Sequence, residues 1–194
     1  LHVSESEKER FVTYYFNGLR EDPFPGEDRA IIPSPKLPTY DKKPEMSSRE
    51  VTDRLLSEIK SGLYDFIVVN YANPDMVGHT GNIRAAIAAC EATDICLGQL
   101  FPAVLSAGGA LIITADHGNV EEMLNPATAT SDTEHNANPV PFILAGQNYH
   151  QSVQATQGIL ADVAPTILSL LNIPVPVSMI GRNLLANLPL GQPH

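Results

Sequence analysis

From Ser47 onward the apolar positions alternate between helical and strand spacing, whereas the first 46 residues hold neither period for long. Ser47-x-x-Glu50 has the form of a capping box. Val51, Leu55, Leu56 and Ile59 follow at helical spacing, and Gly62 supplies a stop. Asp65–Tyr71 (DFIVVNY) is a near-continuous apolar run, the pattern of a strand buried on both faces. Ile83–Leu105 reads as a long helix carrying Ala85, Ala86, Ala88, Ala89, Leu97 and Leu100. Pro102 predicts a kink or break in it, and Gly108-Gly109 its end. Two further strands are predicted at Ala110–Ala115 (ALIITA) and Val140–Leu144 (VPFIL). A final amphipathic helix is predicted at Leu160–Leu171, with Asp162 and Pro165 in its first turn.

The first third is less regular. Ser4-x-x-Glu7 resembles a capping box opening a short turn of helix. Phe11–Phe16 (FVTYYF) is β-branched and aromatic and reads as a strand ended by Asn17-Gly18. Pro23, Pro25, Pro33, Pro35, Pro38 and Pro44 forbid a long helix, leaving a surface-tracking connection with Ala30–Ile32 as at most a short strand. The expected organisation is an irregular Pro-rich opening segment, 1–46, and an alternating helix/strand core, 47–185. Strands separated by helices imply an α/β fold of βαβ units, its sheet largely parallel with helices on both faces. No internal repeat is visible.

Composition narrows the function. The chain has 194 residues, 43% of them hydrophobic, enough for one domain or at most two small ones. Residues 1–60 carry 12 acids and 10 bases, whereas residues 61–194 carry 10 acids and only two bases, Arg84 and Arg182. The formal charge is −10 and the pI near 4.9, which argues against binding nucleic acid through its phosphates. Cys90 and Cys96 lie six apart on different faces of a predicted helix, so no disulfide is expected and a reducing, cytoplasmic location is favoured. No apolar run approaches the roughly 20 residues of a membrane span, so no membrane partner is expected. The chain starts at Leu1 with no signal-peptide pattern, and a processed or cloned piece of a longer protein is expected.

In open α/β sheets ligands bind beyond the carboxyl ends of the strands. The predicted strand 65–71 runs into Asn73-Pro74-Asp75-Met76-Val77-Gly78-His79, and the strand 110–115 into Asp116-His117-Gly118-Asn119. His135 precedes the strand at Val140. Asp75, His79 and His135, with Asp116 and His117, supply the mixed oxygen and nitrogen donors that Zn²⁺ or Mn²⁺ accepts, and the carboxylates favour harder ions. Two such ions roughly 4 Å apart would clamp a transferring phosphoryl group. His2, His150 and His194 have no comparable context and read as surface residues.

These motifs carry a resemblance. NYANPDMVGHTG at 70–81, ITADHGN at 113–119, His135 with Asn138-Pro139-Val140-Pro141, and LADVAPTIL at 160–168 are similar to the cofactor-independent phosphoglycerate mutases of the alkaline phosphatase superfamily. SESEKERFVTYYFNG, PFPGEDR and IPSPKLPTYD resemble the family's stretch after its inserted second domain. The resemblance implies an alkaline-phosphatase-like three-layer α/β/α sandwich, incomplete for want of N-terminal strands, of which 1–194 is the carboxy-terminal portion. It implies one manganese on Asp75, His79 and His135, a second on Asp116 and His117, and a catalytic Lys8. The implied reaction is a step of glycolysis, interconversion of 2- and 3-phosphoglycerate through a phosphoserine. The family's nucleophilic serine and substrate-binding arginines have no counterpart in this chain, which is therefore expected to bind Mn²⁺ weakly and to lack mutase activity alone. The chain departs from the pattern at Leu19, where a second glycine is common, at Glu9-Arg10-Phe11, and in the loop 125–136. A related phosphopentomutase or phosphodiesterase, or a non-enzymatic metal-binding module, are the alternatives.

Overall fold

The central strand of the sheet comes from the segment whose sequence looked least regular. The computed structural model describes residues 1–124, 128, 130–147 and 157–186. In it β1 (His2–Glu5) lies between β2 (Arg29–Ile32) and β3 (Val68–Asn70), parallel to both. All four β1 residues are buried, as a strand paired on both edges requires. Side chains alternate across it. Leu1 and Val3 join Ala30, Val51, Leu55 and Leu100 in the main core. His2 turns to the other face, where its Nδ1 lies 2.5 Å from the carbonyl of Val12 in α1 (Glu9–Val12). Helical segments therefore cover both faces, and the α/β class holds.

Three local expectations in this region fail for physical reasons. His2 is buried, not a surface residue, because it belongs to the central strand. The Ser4 capping box does not form, since Ser4 is itself in β1; the helical turn expected after it begins at Ser6–Lys8 and runs into α1 without a side-chain cap. Phe11–Phe16 is not a strand: Phe11 and Val12 belong to α1 and the residues after them form turns, so its β-propensity is not used. Its rings pack locally instead, Phe11 on Tyr15 at 5.6 Å and the Arg10 guanidinium over Tyr14 at 4.3 Å.

α2 (Ser48–Ser61) forms as expected and ends at Gly62, whose φ of 65° suits glycine. Ser47 stands at its N-cap, but its hydroxyl donates to the Pro33 carbonyl at 2.9 Å and its N–H to Glu5 Oε1 at 3.0 Å. The serine ties the start of α2 to β1 and to the Pro-rich segment rather than capping its own helix. α3 (Asn73–Gly78) and α4 (Ile83–Ser106) follow β3, with the Asn82 side chain accepting the Ala85 N–H at 3.2 Å. α4 continues through Pro102 and ends only at Gly108, φ 74°.

By length and composition α4 is apolar enough to cross a membrane, contrary to the sequence expectation. Glu91 and Asp94 interrupt any continuous run, but the average hydropathy is high. In the fold Ala85, Ala86 and Ala89 pack with Val77 of α3 and with Met123, and Leu100 joins the main core.

β4 (Ala110–Thr114) and β5 (Phe142–Gly146) pair with each other, antiparallel. A largely parallel sheet was expected here. The described chain between them holds only a 3-10 turn at Val120–Glu122, so there is no helical crossover to return β5 in the same direction. α5 (Val163–Leu170) completes the described elements, entered through a 3-10 turn at Leu160–Asp162. The proposed surface positions of His150 and His194 lie outside the described residues.

A buried carboxylate secures the amino end of β1. Glu27 Oε1 accepts from Arg29 Nε at 2.6 Å, and Oε2 from Asn17 Nδ2 at 2.7 Å and the Phe24 N–H at 2.9 Å. Burial pushes this carboxyl up, but the three donors and nearby His2 outweigh it and bring its pKa down to about 2. A depressed folded-state pKa contributes stability that is present above the unfolded value and lost as pH falls through the folded one. Urea unfolding at pH 6 and pH 3 should therefore show a smaller acid loss for Glu27→Gln than for the unsubstituted chain; equal losses contradict the assignment. Leu19 has φ 70°, the left-handed region that favours glycine, and is exposed. Leu19→Gly should relieve about 1 kcal/mol of backbone strain and raise Tm by about 2–4 °C.

Candidate metal centre

The short helix after β3 creates the site. Pro74 sits in its first turn, where the missing N–H costs nothing. Asp75 and His79, four residues apart, then share one helix face. The third member comes from a distant segment. Gly118 and Asn136 form a two-way backbone bridge, with Gly118 N–H to Asn136 O at 3.3 Å and Asn136 N–H to Gly118 O at 3.0 Å. That bridge fastens the loop after β4 against the segment carrying His135.

Three donor atoms converge. His135 Nε2 lies 3.0 Å from Asp75 Oδ1 and 3.0 Å from His79 Nε2, and His79 Nε2 lies 3.2 Å from Asp75 Oδ1. Among the described residues this is the one group of three or more such ligating side chains, all within 4.8 Å of one another. His79 Nδ1 is 2.7 Å from the Thr133 carbonyl, which accepts only, so this nitrogen carries the proton and Nε2 is left with a lone pair. Two imidazole nitrogens and a carboxylate oxygen this close repel one another unless a proton or a cation sits among them. The donor set fits a divalent cation. The Asp75 carboxylate is half-buried while both imidazoles are exposed, so the group opens to solvent on one side.

Lys8 closes the buried side. It stands at the end of the 3-10 turn after β1, is 6% exposed, and donates to Asp75 Oδ2 in a short ion pair. Its ammonium also lies 4.6 Å from the Phe11 ring centroid. Burial works to raise the Asp75 pKa, but the Lys8 hydrogen bond and charge, with His79 and His135, hold it below the ordinary carboxylate value.

The second predicted pair is only partly gathered in. His117 stacks on His135 with ring centroids 3.7 Å apart and 23° between planes. Asp116 lies 3.6 Å from His117 Nε2 and does not reach the Asp75 group. Sequence reasoning missed Thr133 and Asn119, the latter donating from Nδ2 to Asp75 Oδ1 at 3.0 Å. The position of Asn119 in the Asp-His-Gly-Asn motif was a signal for it; nothing in the sequence marked a backbone carbonyl at 133.

Comparison with known proteins places the chain in a family. A family model described as the Metalloenzyme superfamily matches residues 1–175. The 2,3-bisphosphoglycerate-independent phosphoglycerate mutase of Thermomicrobium roseum is 56% identical over 187 residues, covering 95% of this chain and 36% of the relative. The enzyme of the same description from Chloroflexus aggregans is 54% identical, over 95% of this chain and 35% of its own. A crystal structure of Leishmania mexicana phosphoglycerate mutase at low cobalt concentration superposes with a TM-score of 0.84 at 31% identity, covering 94% of this chain and 36% of that one. The chain thus spans about a third of the length of these relatives.

Removing one partner from a buried ion pair leaves an uncompensated charge. Lys8→Ala should destabilise the metal-free chain by about 1–3 kcal/mol in urea unfolding with a chelator present, less than for a fully buried pair because Asp75 is half-buried and keeps the Asn119 hydrogen bond. An unchanged midpoint would mean that Asp75 does not depend on Lys8.

Proposed function

The chain belongs to the Metalloenzyme superfamily, and from that premise we propose that it is the carboxy-terminal, metal-binding part of a 2,3-bisphosphoglycerate-independent phosphoglycerate mutase. Such an enzyme is an isomerase of glycolysis that interconverts 2- and 3-phosphoglycerate through a phosphoserine. The observation that carries the reading is the convergence of Asp75, His79 and His135 over Lys8, in a chain 56% identical to a protein of that description.

The residues divide the work by their chemistry. Asp75, His79 and His135 hold one divalent ion, and Asp116 with His117 contribute to a second. When bound, two such ions supply Lewis acidity to a transferring phosphoryl group. One carboxylate oxygen and two imidazole nitrogens suit manganese among the ions accepted by mixed oxygen and nitrogen sites. Lys8 balances the charge of Asp75 and offers a compact positive point charge to a phosphate oxygen. Thr133 holds the His79 tautomer in which Nε2 is free.

The nucleophile and most of the positive charge come from elsewhere in the enzyme. Ser47 and Ser48 are buried, and the Ser47 hydroxyl is engaged by Pro33. After Lys60 the chain has only Arg84 and Arg182 as bases, and neither contacts the Asp75 group. An anionic three-carbon substrate needs further cationic partners, which the longer relatives have room to supply. The two cysteines are free, in keeping with a cytoplasmic enzyme.

The test uses the 194-residue chain itself. Titration with Mn²⁺, followed by loss of the free-ion resonance signal, should show binding that disappears in His79→Ala. A coupled assay with 3-phosphoglycerate and Mn²⁺ should show no turnover. Turnover abolished by His79→Ala would overturn the partial-site reading, and failure to bind Mn²⁺ would overturn the metal centre.

A further inference from the structure

We propose that Asn119 is a positioning residue that orients the Asp75 carboxylate and couples the two candidate metal positions. The inference rests on the metal-centre reading above.

Asn119 is 6% exposed, and its amide Nδ2 donates to Asp75 Oδ1 at 3.0 Å. That is the oxygen approached by both His79 Nε2 and His135 Nε2. A carboxylate oxygen offers two lone pairs. The amide engages one and leaves one for a cation shared with the imidazoles. Lys8 meanwhile occupies the other oxygen, Oδ2, so the carboxylate is held at both ends and cannot rotate freely. Orientation of this kind is how hydrogen-bond partners outside a metal's ligands set its affinity.

The amide is built into this place. The Asn119 N–H donates to Glu121 Oε2 at 2.8 Å, fixing the backbone from which the side chain projects. Its Oδ1 is buried with no hydrogen-bond partner among the described residues. Packing holds that end: a Cβ at Gly78 would lie 2.3 Å from Asn119 Oδ1, so only glycine in α3 admits the amide. A buried amide that leaves its oxygen unpaired in order to donate to Asp75 incurs a desolvation cost that the contact must offset.

The connectivity gives the contact its second role. Asn119 follows Asp116 and His117 in the same loop, while Asp75 and His79 belong to α3. One hydrogen bond thus joins the segment carrying one candidate pair to the helix carrying the other, and a shift of either is felt by its neighbour.

Cobalt(II) is a suitable probe because its visible absorption reports ligand geometry independently of activity. Isothermal titration and visible spectra of the purified chain with Co²⁺ should show Asn119→Ala binding about 10–100-fold more weakly, with an altered band. Asn119→Ser keeps a small polar side chain but is too short to reach Asp75, and should behave alike. Asp75→Ala should lose the signal entirely. Folded Asn119 variants with the affinity and spectrum of the unsubstituted chain, or with a lowered Tm alone, would overturn the positioning role while leaving the metal centre intact. Absence of any cobalt spectrum in the unsubstituted chain would overturn the metal-centre reading and the role of Asn119 with it.

Discussion

A half-buried carboxylate must be surrounded by positive charge and hydrogen-bond donors, and Asp75 gathers them from four separate segments. Lys8 arrives from the turn after β1, His79 from the end of α3, Asn119 from the loop after β4, and His135 from the segment bridged to Gly118. Three of these partners, Lys8, Asn119 and His135, are long-range contacts, and together they connect the parallel three-stranded sheet to the part of the chain that contains the antiparallel pair. The local charge arithmetic is unfavourable without them. An acidic stretch with two bases in 134 residues has little with which to compensate Asp75 from its own sequence, and the cation comes from the opening segment, where 10 of the 12 bases lie.

That requirement explains why the opening segment is folded inward. β1 sits between two parallel partners with polar groups buried at both ends: His2 near Glu27 at its start, Glu5 under the Ser47 N–H at its end. Burial raises the Glu5 pKa, because the Ser47 N–H and the Ser34 side chain do not replace its hydration. The Ser47 contact also joins the start of α2 to the strand, so the helix, the strand and the lysine beyond it move as one unit.

Periodicity made α2, α4, α5 and the apolar strands readable, since each buries a face that the sequence spells out. β1 was hidden because its four residues, His-Val-Ser-Glu, are polar at three positions and gain their burial from neighbours far along the chain. Phe11–Phe16 misled in the opposite direction: strand propensity describes fit to a sheet, and here the rings pack on one another and on Arg10 instead. The strand β5 was readable, but its antiparallel direction was not, because the pattern records strands and not the crossover between them. At the site, Asp75, His79, His135 and Lys8 were legible through motif spacing and resemblance. Asn119 stood in plain sight within a quoted motif, yet its role depends on a contact with a residue 44 positions away.

The Thr133 contact bears on how this region can change over evolutionary time. What His79 takes from position 133 is a main-chain carbonyl, which every amino acid supplies, proline included. Drift in side chains there leaves the imidazole tautomer untouched so long as the backbone path is kept. At position 133 itself, therefore, a change of loop length disturbs His79 more than a change of side chain, whereas His135, two residues on, acts through its own imidazole.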